Sequence, residues 1–390
     1  MRFIHTADLH IGKRLGGLSL EGDMAHLLGW LADLVMSEQA DALVVAGDVF
    51  DAPIPPESAV SMWDGFVCRM AERGVCLMAI GGNHDSGVRL GYGARLAKDA
   101  GVHVAGELTG DVPRVVCEDV TFWLLPFVRP ADVRAWGRAR GSEVEGPLSY
   151  DDAVRLVLDD VRARPEYAES CRNVLVAHQF VTAGGSEPDR SDSERMSLGT
   201  LDNVDAHVFD GFDYVALGHV HRPQRVGRET LRYAGSPLAF STSEVPYPKS
   251  VAVVDMARGA EPGIRCVPVE PLHAFRVERG AFDELKERGA AESEDRRQDY
   301  VAACVTDDDE PLDVAQRLRS VWANLVGVTF DNARTAAAGA AVAATTEVDD
   351  AELPELFSEF YEDQAGQPLT ADEQAVVAST LDEALGGEAR

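Results

Sequence analysis

Residues 75–86 read VCLMAIGGNHDS. Six apolar residues suit a short buried strand. The chain then leaves it through two glycines onto an amide, an imidazole and a carboxylate. As a turn the stretch is ordinary, since glycine permits positive φ and Asn and Asp tolerate it. Histidine adds nothing to a turn, yet it binds metals and moves protons near neutral pH. The fold reading depends on whether other strand ends supply companions for His84.

They do. RFIHT (2–6) is followed by Asp8 and His10, and ALVVAG (42–47) by Asp48 and Asp51. The opening strand delivers Asn83, His84 and Asp85; NVLVAH (173–178) ends on His178; DYVALGH (213–219) ends on His219, with His221 two residues on. Between the first three strands, 22–37 and 56–73 carry apolar residues at helical spacing. That is a βαβ pattern, which predicts a parallel sheet covered on both faces. In such sheets ligands bind beyond the carboxyl ends of the strands. Each fragment alone is weak: Asp after Gly is commonly a turn or cap, and a lone buried histidine is more often a hydrogen-bonded core residue than a ligand. Together they place five of the ten histidines at strand ends, beside carboxylates and one amide. His5, His26, His103, His207 and His273 fall outside the pattern and read as packing or surface residues.

Imidazole mixed with carboxylate suits Mn²⁺, Fe²⁺ or Zn²⁺ without the thiolates of structural zinc sites. Six or seven donors are too many for one catalytic ion that keeps an open position. They fit two ions about 3.5–4 Å apart that share a carboxylate, the arrangement of phosphatases and nucleases. His84, next to the ligand Asn83, can then donate a proton to a leaving oxygen.

With 390 residues, 45% of them apolar, the chain can fold one large and one smaller domain. No apolar run approaches the ~18 residues of a membrane span. The start MRFIHTADLH does not read as a signal peptide. Six scattered cysteines without a CxxC pair predict reduced, core-filling thiols in the cytoplasm. The net charge of −30 argues against a general nucleic-acid binder. Much of it lies in 281–310, with eleven acids against four bases, and in 347–390, with thirteen against one. Two arginine-rich stretches, Arg129 to Arg140 and Arg222 to Arg232, are each locally basic. A solvated face is the commoner reading of each than a phosphate track.

Hairpin-like strands are expected over 112–126, helices near 130–140 and 150–164, and another strand at 250–255. After about 272 the texture becomes that of a small α+β unit. Residues 333–346, ARTAAAGAAVAATT, are low-complexity linker. Beyond it Leu353, Leu356, Phe357, Phe360 and Tyr361 mark one face of an amphipathic helix. That face suits either its own domain or a partner.

The ordered set DLH, GDVFD, GNHD, H and GHVH resembles the signature of calcineurin-like metallophosphoesterases. HTADLHIGK (5–13), AGDVFDAPIPP (46–56), ALGHVHRPQ (216–224), YAGSPLAFSTSE (233–244) and the tail ELFSEFYEDQAGQPL (355–369) narrow the resemblance to the SbcD-type nuclease subunits of bacterial SbcCD complexes. It is strongest in 1–90 and 170–250. It implies an α/β fold, a calcineurin-like β-sandwich flanked by helices, with a small α+β capping domain and C-terminal helices. The expected division is 1–271 for the metallophosphoesterase nuclease domain and 272–332 for the DNA-capping domain. A flexible linker over 333–350 and a helical ATPase-binding tail over 351–390 complete it.

The resemblance implies one ion on Asp8, His10, Asp48 and His221. The second would sit on Asp48, Asn83, His178 and His219, with Asp48 bridging. Manganese is the usual metal, and His84 matches the catalytic histidine. Asp85 would orient His84 or cap the next helix, and Asp51 stands where some relatives carry histidine. Implied partners are a coiled-coil ATPase of the SbcC type, double-stranded DNA ends and hairpins, and a second copy of the chain in a heterotetramer. Residues 56–73 and 87–99 are the candidate dimer faces. Arg89, Arg95, Arg129 and Arg222 are candidate DNA contacts. The location implied is the cytoplasm, at the nucleoid when on DNA, and the activity is exonuclease and hairpin endonuclease in repair, recombination and replication. A small-molecule metallophosphodiesterase on the same fold is the alternative, disfavoured by the post-272 unit and the tail. A non-catalytic tether is a third reading, disfavoured because every expected ligand position is filled.

Overall fold

Strands apolar on both faces need cover on both, and this chain provides it by stacking two sheets between helices. The computed structural model describes residues 1–142, 146–169, 172–192, 194, 202–309, 311–333, 335 and scattered positions from 357 to 377. Of the expected linker at 333–350 only 333 and 335 are among the described residues, and Leu353, Leu356 and Phe360 of the tail face lie outside them.

The main elements of the first half are β1 (Arg2–Thr6), α1 (Glu21–Ser37), β2 (Ala42–Val45), α2 (Glu57–Glu72), β3 (Cys76–Ile80), β4 (Val102–Ala105), β5 (Arg114–Cys117), β6 (Val120–Leu124), α3 (Pro130–Ala139) and α4 (Tyr150–Arg162). Then follow β7 (Asn173–His178), β8 (Tyr214–Gly218), β9 (Gln224–Val226), β10 (Arg228–Tyr233), β11 (Ser250–Asp255) and β12 (Gly263–Pro268). One six-stranded sheet has the order β12-β11-β1-β2-β3-β4; the other has the order β9-β10-β8-β7-β6-β5. Strands β1 to β4 are mutually parallel, as the βαβ pattern requires, whereas β11 and β12 add to the edge antiparallel. Sequence periodicity could not show that a late hairpin joins the first sheet.

Three apolar layers hold the sandwich. Phe3, Val44, Met78, Phe122, Val176 and Tyr214 fill the space between the sheets. Leu27, Leu31, Trp63 and Phe66 of α1 and α2 cover the first sheet outside, and Val154, Val157, Leu158 and Val161 of α4 cover the second. The five described cysteines are all free, but none is fully buried, and Cys68 and Cys266 are exposed. The expected core-filling role is thus corrected: Leu, Val and Phe fill the core instead.

A smaller parallel sheet, β13 (Phe275–Gly280), β14 (Tyr300–Val305) and β15 (Leu325–Phe330), carries α5 (Phe282–Ala291) and α6 (Val314–Arg319) and a core around Trp322 and Leu285. It is tied back by Asp23 of α1, whose buried carboxylate accepts hydrogen bonds from the Tyr300 hydroxyl (2.9 Å) and the His273 backbone N–H (3.1 Å).

His5 shows what burial between the sheets does to a titratable group. Its Nε2 donates to the Leu217 carbonyl (3.2 Å) and its Nδ1 accepts from the Tyr214 hydroxyl (3.0 Å). Burial, with Arg232 adding to it, lowers its pKa from 6.5 to about 3. The unfolded chain therefore takes up this proton first as pH falls, so stability is lost from 6.5 downward at about 1.4 kcal/mol per pH unit. Urea unfolding in EDTA between pH 6.5 and 5 should show a shallower slope for His5→Gln than for wild type. Equal slopes would remove His5 as a contributor.

Candidate metal centre

Three of the five strand exits that carry a polar cluster leave the strand by an unusual backbone route. Asp8, His10, Asp48 and His219 have φ of 53°, 48°, 48° and 104°. Non-glycine residues there cost about 1–3 kcal/mol each, and such outliers concentrate where side chains must be aimed. Glycines allow the loops to meet. A Cβ on Gly82 would lie 2.1 Å from Asp48 Oδ1, one on Gly47 would lie 2.2 Å from His178 Nδ1, and one on Gly218 would lie 2.0 Å from the Ala46 carbonyl oxygen. The turn reading of Gly81 and Gly82 is corrected here. Neither has positive φ; both are glycine because another segment passes too close for a side chain.

The first sheet supplies Asp8, His10, Asp48, Asn83 and His84, and the second supplies His178, His219 and His221. Asp48 lies among them. Its Oδ1 accepts the His84 backbone N–H (2.9 Å), and its Oδ2 is 3.4 Å from His178 Nε2, 3.7 Å from His10 Nε2 and 4.0 Å from His84 Nε2. Asn83 Oδ1 lies 3.0 Å from His178 Nε2 and 2.9 Å from His219 Nδ1. His10 and His221 face each other, Nε2 to Nε2, at 3.2 Å. The Asp8 carboxylate accepts the His219 backbone N–H at 3.0 Å. Asp8, His10 and His221 can converge on one point, and so can Asp8, Asp48 and His178.

Several of these contacts set acceptor against acceptor. His178 Nδ1 donates to the Ala46 carbonyl (2.8 Å), so the neutral ring turns a lone pair toward Asn83 Oδ1 and Asp48 Oδ2. His221 Nδ1 faces Glu244 Oε1 (3.3 Å), which directs its Nε2 lone pair at His10. Such a cluster takes up protons or cations. Burial disfavours a charged His178, but Asp48 and Asp8 outweigh it and raise its pKa to about 9. Burial raises Asp8 to about 7, whereas the surrounding imidazoles, His178 foremost, overcome burial and hold Asp48 far below its ordinary value. Burial lowers His219 to about 3 and His221 to about 4. Neutral imidazoles and carboxylates without thiolates are the donor set of borderline divalent ions, so the residues fit such a pair.

A family model described as calcineurin-like phosphoesterase matches residues 1–223. The chain belongs to that family. Calcineurin-like phosphoesterases act with divalent metal, and the ligand-type residues of this member gather at one mouth of its two sheets. A second model, described as type 5 capsule protein repressor C-terminal domain, matches 271–365. The chain is 28% identical over 338 residues to the SbcD subunit of the SbcCD nuclease of Staphylococcus epidermidis, covering 85% of this chain and 87% of that one. Among solved structures, TT1561 of Thermus thermophilus aligns at 13% identity and TM-score 0.41, and a dimetal phosphatase from Danio rerio at 15% and 0.40. Each covers 69% of this chain and 99% of the other.

The remaining expected residues have other surroundings. Asp85 accepts backbone N–H bonds from Val49 (3.1 Å), Phe50 (2.9 Å) and Gly82 (2.9 Å), so its carboxylate staples the Asp48 loop to the Asn83 loop. The helix cap expected of it is corrected: Ser86 occupies the N-cap position of the short helix that follows. Asp51 contributes twice, its carbonyl accepting from His84 Nδ1 (2.9 Å) and its carboxylate from Lys13 Nζ (2.7 Å). Arg89 donates to the Pro53 carbonyl, and Arg95 is exposed. Arg129 pairs with Asp132 and Arg222 with Asp189. Sequence reading missed three contributors. Glu244 is fully buried against His221, Glu194 Oε1 accepts the His221 backbone N–H (2.8 Å), and Phe127 stacks on His219 with ring centroids 6.5 Å apart. Only the STSE string hinted at Glu244, and nothing in its spacing separated it from a surface acid.

Proposed function

We propose that this chain is the nuclease subunit of an ATPase–nuclease complex and hydrolyses DNA phosphodiesters at a two-ion centre. The observation that carries the reading is the convergence of six donor residues from both sheets around a seventh, Asp48, in a chain that matches a nuclease subunit along most of both lengths. Asp8, His10, Asp48 and His221 would hold one ion, and Asp48, Asn83, His178 and His219 the other. Manganese is the proposed metal. Bound ions supply Lewis acidity and neutralise charge gathering on the phosphate. His84 keeps Nδ1 on the Asp51 carbonyl, which leaves Nε2 as the nitrogen that protonates the leaving sugar oxygen.

Exonuclease and hairpin activities in repair, recombination and replication belong to this reading. So does a capping role for the 272–332 unit and docking of the acidic tail on a coiled-coil ATPase. Exposed Ile54, Val60, Val88 and Tyr92 form an apolar patch along α2, and such a patch supports homodimerisation through that face. The assembled complex, not the acidic chain alone, would supply the phosphate-binding surface, with Arg89, Arg95, Arg129 and Arg222 as local contacts. The cytoplasm is the proposed location; no helix among the described residues is long and apolar enough to cross a membrane.

The test is cleavage of a linear duplex and a DNA hairpin in Mn²⁺ and in EDTA, with and without the cognate ATPase. Cleavage that EDTA abolishes is expected. Turnover of bis(4-nitrophenyl) phosphate with no cleavage of DNA under any of these conditions would move the protein to the small-molecule phosphodiesterase reading.

A further inference from the structure

Two histidines of the centre are backed in the same way. His221 Nδ1 faces Glu244 Oε1 at 3.3 Å, and the other oxygen of Glu244 accepts from Lys249 Nζ and from the Ser236 hydroxyl (3.1 Å). His10 Nδ1 lies 3.3 Å from Asp51 Oδ1, which accepts from Lys13 Nζ at 2.7 Å. Each histidine thus has a carboxylate behind Nδ1, and each carboxylate has a lysine of its own. The phenyl ring of Phe240 packs edge-on against both imidazoles, with centroids 5.4 Å from His10 and 5.8 Å from His221. The two units differ in depth. Glu244 is fully buried with Lys249 nearly so, whereas the Asp51 side chain is 29% exposed.

We propose that Asp51 with Lys13, and Glu244 with Lys249, are twin positioning pairs that hold His10 and His221 with Nδ1 as donor and both Nε2 lone pairs aimed at one ion. The proposal rests on the two-ion reading above. A carboxylate behind a ligating imidazole fixes its tautomer and ring orientation, and loss of such a partner lowers metal affinity about 10–100-fold. The lysine has a separate job. Without it, each relay would add a net negative charge next to Asp8 and Asp48, which are already buried. With it, the relay is neutral overall and its carboxylate remains a strong acceptor. His10 Nδ1 has no well-aligned hydrogen-bond partner among the described residues, so only a small ring rotation separates it from the Asp51 oxygen that faces it. The other half of the centre, Asn83 with His178 and His219, uses a different device: His178 leans on a backbone carbonyl and not on a carboxylate.

The difference makes the test selective. Mn²⁺ alone is titrated into wild type, Asp51→Asn and Glu244→Gln, with stoichiometry read by calorimetry and the manganese environment by electron paramagnetic resonance. Wild type is expected to bind two ions with an exchange-coupled signal. Each variant should bind one ion with unchanged affinity and the second about 10–100-fold more weakly, giving a mononuclear signal at low Mn²⁺. Lys13→Met should weaken the same ion, which a purely local ion pair would not do. Two ions bound with wild-type affinity and coupling in both variants would overturn the relays and leave the two-ion centre standing. No ion bound by wild type would overturn the centre itself. If Glu244→Gln fails to fold, Asp51→Asn decides, because its side chain is partly solvated and its loss leaves no buried lysine.

Discussion

Manganese-dependent cleavage by a His84→Ala protein is expected to fall about 10²–10⁴-fold with both ions retained. The separation follows from which atoms do what. The bond that ties residue 84 to the centre runs from its backbone N–H to Asp48 Oδ1, and alanine keeps that N–H. The imidazole contributes a nitrogen 4.0 Å from Asp48 Oδ2, held in place by the Asp51 carbonyl behind it. Its removal takes away a proton donor and leaves the donors around Asp48 where they were. Single-turnover rates on a duplex, with metal content measured on the same samples, check the expectation. Activity and metal lost together would make His84 a ligand, a role its place beside His10 and Asp48 would also permit.

A single methyl group at residue 82 should be nearly as damaging. The Cβ of Gly82→Ala would sit 2.1 Å from Asp48 Oδ1 and 2.4 Å from the Asp48 backbone nitrogen, so one of the two loops must move. Overpacking of this kind costs about 1–3 kcal/mol. The same shift would pull the Gly82 N–H from Asp85, loosening the staple between the loops. Ion binding should therefore be lost with no ligand replaced. Gly65→Ala is the matched control, since its Cβ would meet nothing within 4 Å on α2 and alanine favours the helix by about 1 kcal/mol. Thermal melts with and without Mn²⁺ distinguish the two. A Gly82→Ala protein whose melting point rises with Mn²⁺ as wild type does would contradict the close-packing account.

The strand ends were readable because their signal is local: an apolar run with donors at its end or within four residues of it, and a glycine between them at three of the five. The gathering of Asp8, Asp48, Asn83, His178, His219 and His221 followed from one topological rule about parallel sheets. What stayed hidden depends on distance in sequence. Glu244 reaches His221 across 23 positions, and Asp85 reaches Val49 across 36, with no periodicity to announce either contact. The glycines misled in a different way. Gly81 and Gly82 look like turn residues, yet their small size matters because Gly106 and Asp48 press against them from other segments. The edge hairpin of the first sheet escaped notice for a similar reason, since β11 and β12 come more than 140 residues after the strands they join.

The donors come from strands that are made at different times. During synthesis Asp8, His10, Asp48 and Asn83 emerge with the first sheet's parallel strands, whereas His178, His219 and His221 follow almost a hundred residues later. A nascent chain that has left the ribosome only through residue 170 would offer neither of the two proposed ions its full set of ligands. On the two-ion reading, loading is then a late event, and a chain that ends before His219 would lack donors of both ions.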